Sequence, residues 1–233
     1  MDLTKLKEDL KDKGIVESLG FLAHKFDGKI VFSTSFGWED QVLTHIIFSN
    51  NIPIKVFTLE TGRLFPETYY VWNRTLENYG KPIHAYYPNN VLLEEMVDKK
   101  GPSSFYESVE NRKECCYIRK IEPLNRALSG NECWITGIRG EQSLNRQDME
   151  NLEWDEGHNI IKYHPIFDWT LDQVKTFIKE NHIVYNTLHD KGFPSIGCAP
   201  CTRAVQEGED FRAGRWWWED QSKKECGLHA VKS

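Results

Sequence analysis

The stretch Lys29-Ile30-Val31-Phe32-Ser33-Thr34-Ser35-Phe36-Gly37-Trp38-Glu39-Asp40 passes from an apolar run, through small hydroxyl residues and a glycine, into a helical pattern. A short β-branched and aromatic run of this kind reads as a strand, Lys29 to Ser33. Glu39 to Phe48 then carries apolar residues at helical spacing. The same order repeats: Ile54 to Leu59 reads as a strand, Glu60-Thr61-Gly62-Arg63-Leu64-Phe65 as a loop, and Pro66 to Tyr79 as a helix with proline suitably placed at its start. Ile83 to Tyr87 and Cys133 to Ile138 read as further strands. Alternation of strand and helix predicts an α/β fold, a parallel sheet with helices on both faces in the Rossmann-like manner. Runs as apolar as Ile54-Lys55-Val56-Phe57 suit a sheet buried on both sides.

Beyond Gly137 the pattern changes. Met149 to Trp154 and Asn159 to Tyr163 flank Asp155-Glu156-Gly157-His158 and predict a hairpin, and Trp169 to Asn181 predicts a helix begun at Asp168 or Thr170. From Gly192 onward the chain is rich in Cys, Arg and Trp without a clear period, an irregular segment of the kind that carries function. The 233 residues suit one domain over 1–233, with 210–233 as a mobile C-terminal catalytic tail. Met1 to Lys13 alternates Leu with Lys, Glu and Asp and lacks the apolar core of a signal peptide, so the expected location is cytoplasmic, with no membrane partner. A net charge of −6 gives no electrostatic footprint for nucleic acid, and an anionic substrate has to be met by a local basic pocket.

Six cysteines in a cytoplasmic chain point to metal binding or catalysis before disulfides. Cys115-Cys116 and the later Cys198-Ala199-Pro200-Cys201 supply four potential thiolate ligands, a set accepted by structural zinc and by iron–sulfur clusters alike. The Cys-x-x-Cys unit leans toward zinc. The adjacent pair leans the other way, because neighbouring side chains on a helix diverge by about 100° and one small ion would need a distorted turn. Cys133 falls inside a strand and reads as a buried structural thiol. Cys226, in Glu225-Cys226-Gly227-Leu228-His229, has lysines before it and His229 after it, surroundings that favour the reactive thiolate.

The two strand–loop–helix units, read alone, are capped helix starts as readily as phosphate sites. Together with the cysteine pattern and the Glu225–His229 signature they resemble the adenylyl-sulfate and phosphoadenylyl-sulfate reductases of the adenine-nucleotide alpha-hydrolase-like superfamily, from about Lys29 to His229. In ATP-splitting members a glycine-rich loop cradles pyrophosphate; Phe36, Trp38 and Glu39 are expected to crowd that space here. The resemblance implies a thioredoxin-dependent adenylyl-sulfate reductase of sulfate assimilation. It implies a 4Fe–4S cluster on Cys115, Cys116, Cys198 and Cys201, and catalysis by Cys226 with His229 beside it. Substrate contacts are implied for Ser33, Ser35, Gly37, Asp40, Thr61, Gly62, Lys120, Arg139, Arg212 and Arg215, with Lys120 between cluster and substrate. Gly140 stands where the family pattern has a second arginine. Thioredoxin is expected as a separate chain, since no such domain follows His229, and self-association is left open. The competing readings are a 3′-phosphoadenylyl-sulfate reductase, an ATP-dependent RNA-modifying enzyme of the same superfamily, and a non-catalytic zinc-stabilised nucleotide sensor.

Overall fold

Three short strands with hardly an exposed residue lie side by side in the sheet. In the computed structural model, which describes residues 2–142 and 149–219, β1 (Ile30–Ser33), β4 (Cys133–Ile135) and β6 (Ile160–Tyr163) are buried along almost their whole length. Successive strand side chains point to opposite faces, so such burial means that both faces are covered. β2 (Lys55–Leu59), β3 (His84–Tyr86) and β5 (Leu152–Asp155) complete a six-stranded sheet in the order β3-β2-β1-β4-β6-β5. β1 runs parallel to β2 and β4, and β4 parallel to β6; only β5, paired with β6 as the hairpin, is shown antiparallel. The sheet is therefore mixed, mostly parallel, with the predicted hairpin supplying the exception.

The chain divides into two units. The first comprises the described residues up to Thr58, with Tyr70–His84 and Leu128–Asn186. Its core gathers Leu19 and Leu22 of α2 (Ile15–Lys25), Val42, Leu43 and Ile47 of α3 (Trp38–Ser49), Phe32, Cys133 and Ile135 of the sheet, and Val174 of α8 (Leu171–Glu180). Cys133 is wholly buried there, and burial pushes its thiol far up, which makes it inert. The second unit comprises Leu59–Tyr69, Ala85–Ala127 and the described residues from Thr187 onward. Its core is smaller and unusual in content: Met96, Phe105, Ile118 and Trp216 pack with Cys115, Cys198 and Cys201.

Local chemistry explains where the helices begin. α8 starts at a complete capping box, in which the Thr170 hydroxyl accepts from the Gln173 N–H at 3.2 Å and the Gln173 side chain accepts from the Thr170 N–H at 2.7 Å. Thr170 is thus the cap that the sequence had offered beside Asp168. Replacing it with alanine is expected to cost about 1 kcal/mol, read as a shift in the urea midpoint at unchanged slope; no shift would show that the packing of α8 alone fixes its start.

Candidate functional site

Beyond β1 the chain turns sharply. Thr34 Oγ1 accepts from the Phe36 N–H at 3.1 Å, and Phe36 adopts φ 61°, a left-handed conformation that a bulky residue seldom occupies. Packing compensates: the Phe36 ring is fully buried and stacks on Trp72 with centroids 5.5 Å apart. Trp38 is likewise buried in the core. Neither ring crowds the loop, contrary to the expectation from sequence, because the strained backbone at Phe36 turns its side chain inward. Of those three residues only Glu39 stays partly exposed.

The loop is closed by a carboxylate. Asp40 Oδ2 accepts from both the N–H and the hydroxyl of Ser35, each at 2.6 Å. Burial pushes the Asp40 carboxyl up to about 6; the Ser35 bonds oppose the rise and the neighbouring Glu39 adds to it. Glu39 accepts from Arg139 Nε at 2.8 Å, and Arg139 Nη1 reaches Glu141 at 2.8 Å. Arg139 itself is 1% exposed. Gly137 makes this arrangement fit: a Cβ there would stand 2.3 Å from Asp40 Oδ1. At Gly140 the Phe167 ring would lie 3.1 Å from an added Cβ, so a larger side chain requires that ring to move. Ser33 has its hydroxyl engaged as acceptor for the Trp134 indole N–H at 2.9 Å.

In the second unit the cysteines converge. Cys115 and Cys116 end α6 (Val109–Cys116), and the helix continues through a π-turn, Tyr117–Ile121, into α7 (Glu122–Leu128). The turn separating Cys116 from Lys120 is thus wider than an α-turn, and such bulges recur at functional sites. Cys198 caps a 3₁₀ turn, Ala199–Cys201, of which Cys201 is the last residue. All four cysteines line one cavity, together with Phe105, Arg63, Arg112, Arg119 and Lys120. Burial pushes the Cys115 thiol up against the pull of Arg119, and the Cys201 thiol up to about 12, with Cys198 adding and Lys120 and Arg215 opposing. Among the described residues, no three His, Cys, Asp or Glu side chains are placed to hold a single metal ion.

Thr61 and Gly62 stand behind residues that line this cavity. Thr61 Oγ1 accepts from Cys198 Sγ at 3.3 Å, its carbonyl accepts from Arg119 Nη1 at 2.6 Å, and Gly62, at φ 70°, donates its N–H to Glu60 at 2.5 Å. Arg215 is 7% exposed; its guanidinium lies over the Trp216 ring at 4.9 Å and against Gly197, where a Cβ would meet it at 2.2 Å. Arg212 is half-buried and donates its backbone N–H to Asp210.

Residues 29–204 match the phosphoadenosine phosphosulfate reductase domain. The chain belongs to that family. A curated relative from Allochromatium vinosum, named adenosine 5′-phosphosulfate reductase, is 46% identical over 94% of this chain and 85% of its own length. Among solved structures, a phosphoadenylyl-sulfate reductase from Candida auris in a phosphate complex superposes with TM-score 0.74 at 30% identity, over 87% of this chain and 96% of that one. An NH₃-dependent NAD synthetase from Campylobacter jejuni shares the fold alone, with TM-score 0.52 at 11% identity over 83% and 78% of the two chains.

Within this reductase family member, sequence reasoning missed Gly137, Glu60, Arg63, Arg112 and Arg119. Gly137 lies two residues past the end of β4, inside the stretch Cys133–Ile138 that had read as strand; the arginines had no signal, since their roles depend on long-range placement. Cys226 and His229 lie outside the described residues, as does the tail from Asp220 onward. No described helix is long and apolar enough to cross a membrane.

Asp40 supplies a pH test. Its folded-state pKa lies above the value for an unfolded aspartate, so its contribution to stability is complete below about pH 3.9 and is lost as pH rises through about 6. In urea titrations the stability difference between Asp40→Asn and wild type should therefore move in the variant's favour from pH 4 to pH 7. A difference independent of pH would mean that Asp40 titrates normally.

Proposed function

We propose that the chain reduces adenosine 5′-phosphosulfate to sulfite and AMP in sulfate assimilation in the cytoplasm, with a thioredoxin-type dithiol protein as donor. The observation that carries this reading is the convergence of Cys115, Cys116, Cys198 and Cys201 on one cation-lined cavity, in a chain 46% identical to an adenosine 5′-phosphosulfate reductase over nearly its whole length.

The donor set fits a 4Fe–4S cluster. Four thiols from two separate stretches surround a common space, and four cations stand beside them to offset the negative charge of a thiolate-ligated cluster. The buried thiols have to lose their protons on ligation, and Arg119, Lys120 and Arg215 favour that loss. When bound, the cluster supplies fixed charge beside Lys120, while both electrons of the reaction come from the dithiol.

The remaining steps belong to this chain's own residues. Arg139, Arg212, Arg215 and Lys120 are the cations proposed for the phosphate and sulfate oxygens, which suit guanidinium forks. Ser33, Ser35, Gly37, Asp40, Thr61 and Gly62 are the proposed loop contacts; Asp40 acts by holding Ser35, and Thr61 by joining its loop to Cys198. The Cys226 thiolate, favoured by His229 and the nearby lysines, attacks the sulfur of the sulfate group. A sulfur–sulfur bond forms, the sulfur–oxygen bond to the nucleotide breaks, and AMP leaves with the electron pair. One thiol of the donor then attacks Cys226 Sγ and releases sulfite. Its second thiol frees Cys226 and leaves the donor as a disulfide.

Two experiments test this. Anaerobically purified protein should contain iron and acid-labile sulfide in equal amounts. Serine at Cys115, Cys116, Cys198 or Cys201 should deplete both, and serine at Cys133 should not; stoichiometric zinc with negligible iron would overturn the cluster. Separately, enzyme given adenosine 5′-phosphosulfate without a dithiol should release about one AMP per chain and stop, leaving a sulfonate on Cys226 by peptide mass. Cys226→Ser should retain its iron and form no adduct, and an adduct on a different cysteine would sink the mechanism.

A further inference from the structure

One strong interaction at the end of the described chain has no part in the mechanism above. Glu219 accepts from Arg112 through a two-pronged contact, Nε to Oε1 and Nη2 to Oε2, both at 2.9 Å. Their side chains are 2% and 4% exposed. A buried ion pair of this kind contributes little to stability compared with apolar packing, but its paired bonds fix geometry closely. What it fixes is informative. Arg112 stands on α6 three residues before Cys115, lines the cysteine cavity, faces Cys116 and covers the Trp216 ring at 4.7 Å. Glu219 closes a segment already fastened to the other cysteine pair: Trp216 N–H donates to the Cys201 carbonyl at 3.1 Å, and Thr202 pairs with Arg215.

We infer that the Arg112–Glu219 pair is the fixed root of the reactive segment, positioning Cys226 with respect to the cysteine cavity. Glu219 lies seven residues before Cys226, and seven residues span at most about 25 Å when fully extended. A thiol on so short a tether, rooted in the cavity's own wall, is kept at high local concentration there. If the root is released, the same thiol is spread over a larger volume. This inference rests on Cys226 being the nucleophile. It makes Arg112 and Glu219 positioning residues, neither of which touches the reacting atoms.

The competing role for Arg112 is balance of charge at the cavity, which gives Glu219 no part. Glu219→Leu, Glu219→Gln and Arg112→Met separate the two. Each variant is assayed for iron content, for amide hydrogen exchange over residues 213–219, for alkylation of Cys226 by iodoacetamide, and for the single-turnover rate of Cys226 sulfonation at saturating substrate. A positioning root predicts that Glu219→Leu keeps its iron and its substrate affinity, exchanges and alkylates faster, and sulfonates about twofold more slowly, as a tether lengthened back to Trp216 requires. Glu219→Gln, which keeps shape and some hydrogen bonding, should fall between Glu219→Leu and wild type. Wild-type exchange and alkylation in both Glu219 variants, or a defect confined to Arg112→Met and accompanied by loss of iron, would overturn the inference. Absence of any sulfonate in the wild-type protein would instead strike the proposed reaction, while exchange and alkylation would still decide whether the root exists.

Discussion

Four sulfur atoms and four cationic side chains around one largely buried space set the terms for the second unit. Thiols from Cys115–Cys116, at the end of α6 just before a widened helical turn, and from Cys198–Cys201, at a 3₁₀ turn, reach that space. The cations cannot simply be buried beside them. A desolvated charge is costly without partners, and the three arginines are accordingly tied in: Arg112 to Glu219, Arg119 to the Thr61 carbonyl, and Arg63 to the Pro102 carbonyl and the Phe105 ring. Those partners lie far apart in sequence. The unit's irregular course, with little regular structure after Thr187, follows from the need to deliver them.

The first unit obeys a different constraint, close approach of backbone to carboxylate. Asp40 bonds to Ser35 only because Phe36 accepts a left-handed backbone and Gly137 leaves room for the Asp40 side chain. Strain at Phe36 is offset by burying its ring against Trp72, an arrangement frequent where a loop must hold one shape. The same carboxylate-rich corner engages Arg139 through Glu39 and Glu141. Arg139 thus has its orientation set in advance, and an anion meeting it competes with a carboxylate, most readily with the exposed Glu141.

Much of this was legible before any coordinates. The strands around Ile30, Val56 and Trp134, the hairpin around Gly157 and the start of α4 (Pro66–Tyr79) at Pro66 follow from periodicity and turn chemistry, which are local. The cysteine set was legible because chemistry restricts what a Cys-Cys and a Cys-x-x-Cys in one chain are for. Orientation was not. Phe36 looked like a residue crowding a loop, and a single backbone torsion sends it into the core. Thr61 was expected as a substrate contact, and nothing in the sequence said that its hydroxyl also meets Cys198. Arg112 and Glu219 carried no signal at all, because a pair separated by so much chain acquires meaning only when the fold closes.

The π-turn at Tyr117–Ile121 bears on which sequence changes this protein can accept. Such a turn holds one residue more than the α-helix it interrupts. Deleting a residue there would let α6 and α7 merge into one regular helix, and the smoother backbone would be locally favourable. The deletion would also rotate everything before it by about 100° relative to everything after it. Cys115 and Cys116 would swing away from the thiols of Cys198 and Cys201 while each segment remained well-formed helix. Length is therefore a constrained quantity at this point in the chain, independent of which side chains occupy it. A shorter sequence here would fold with an intact helix and a scattered set of sulfurs.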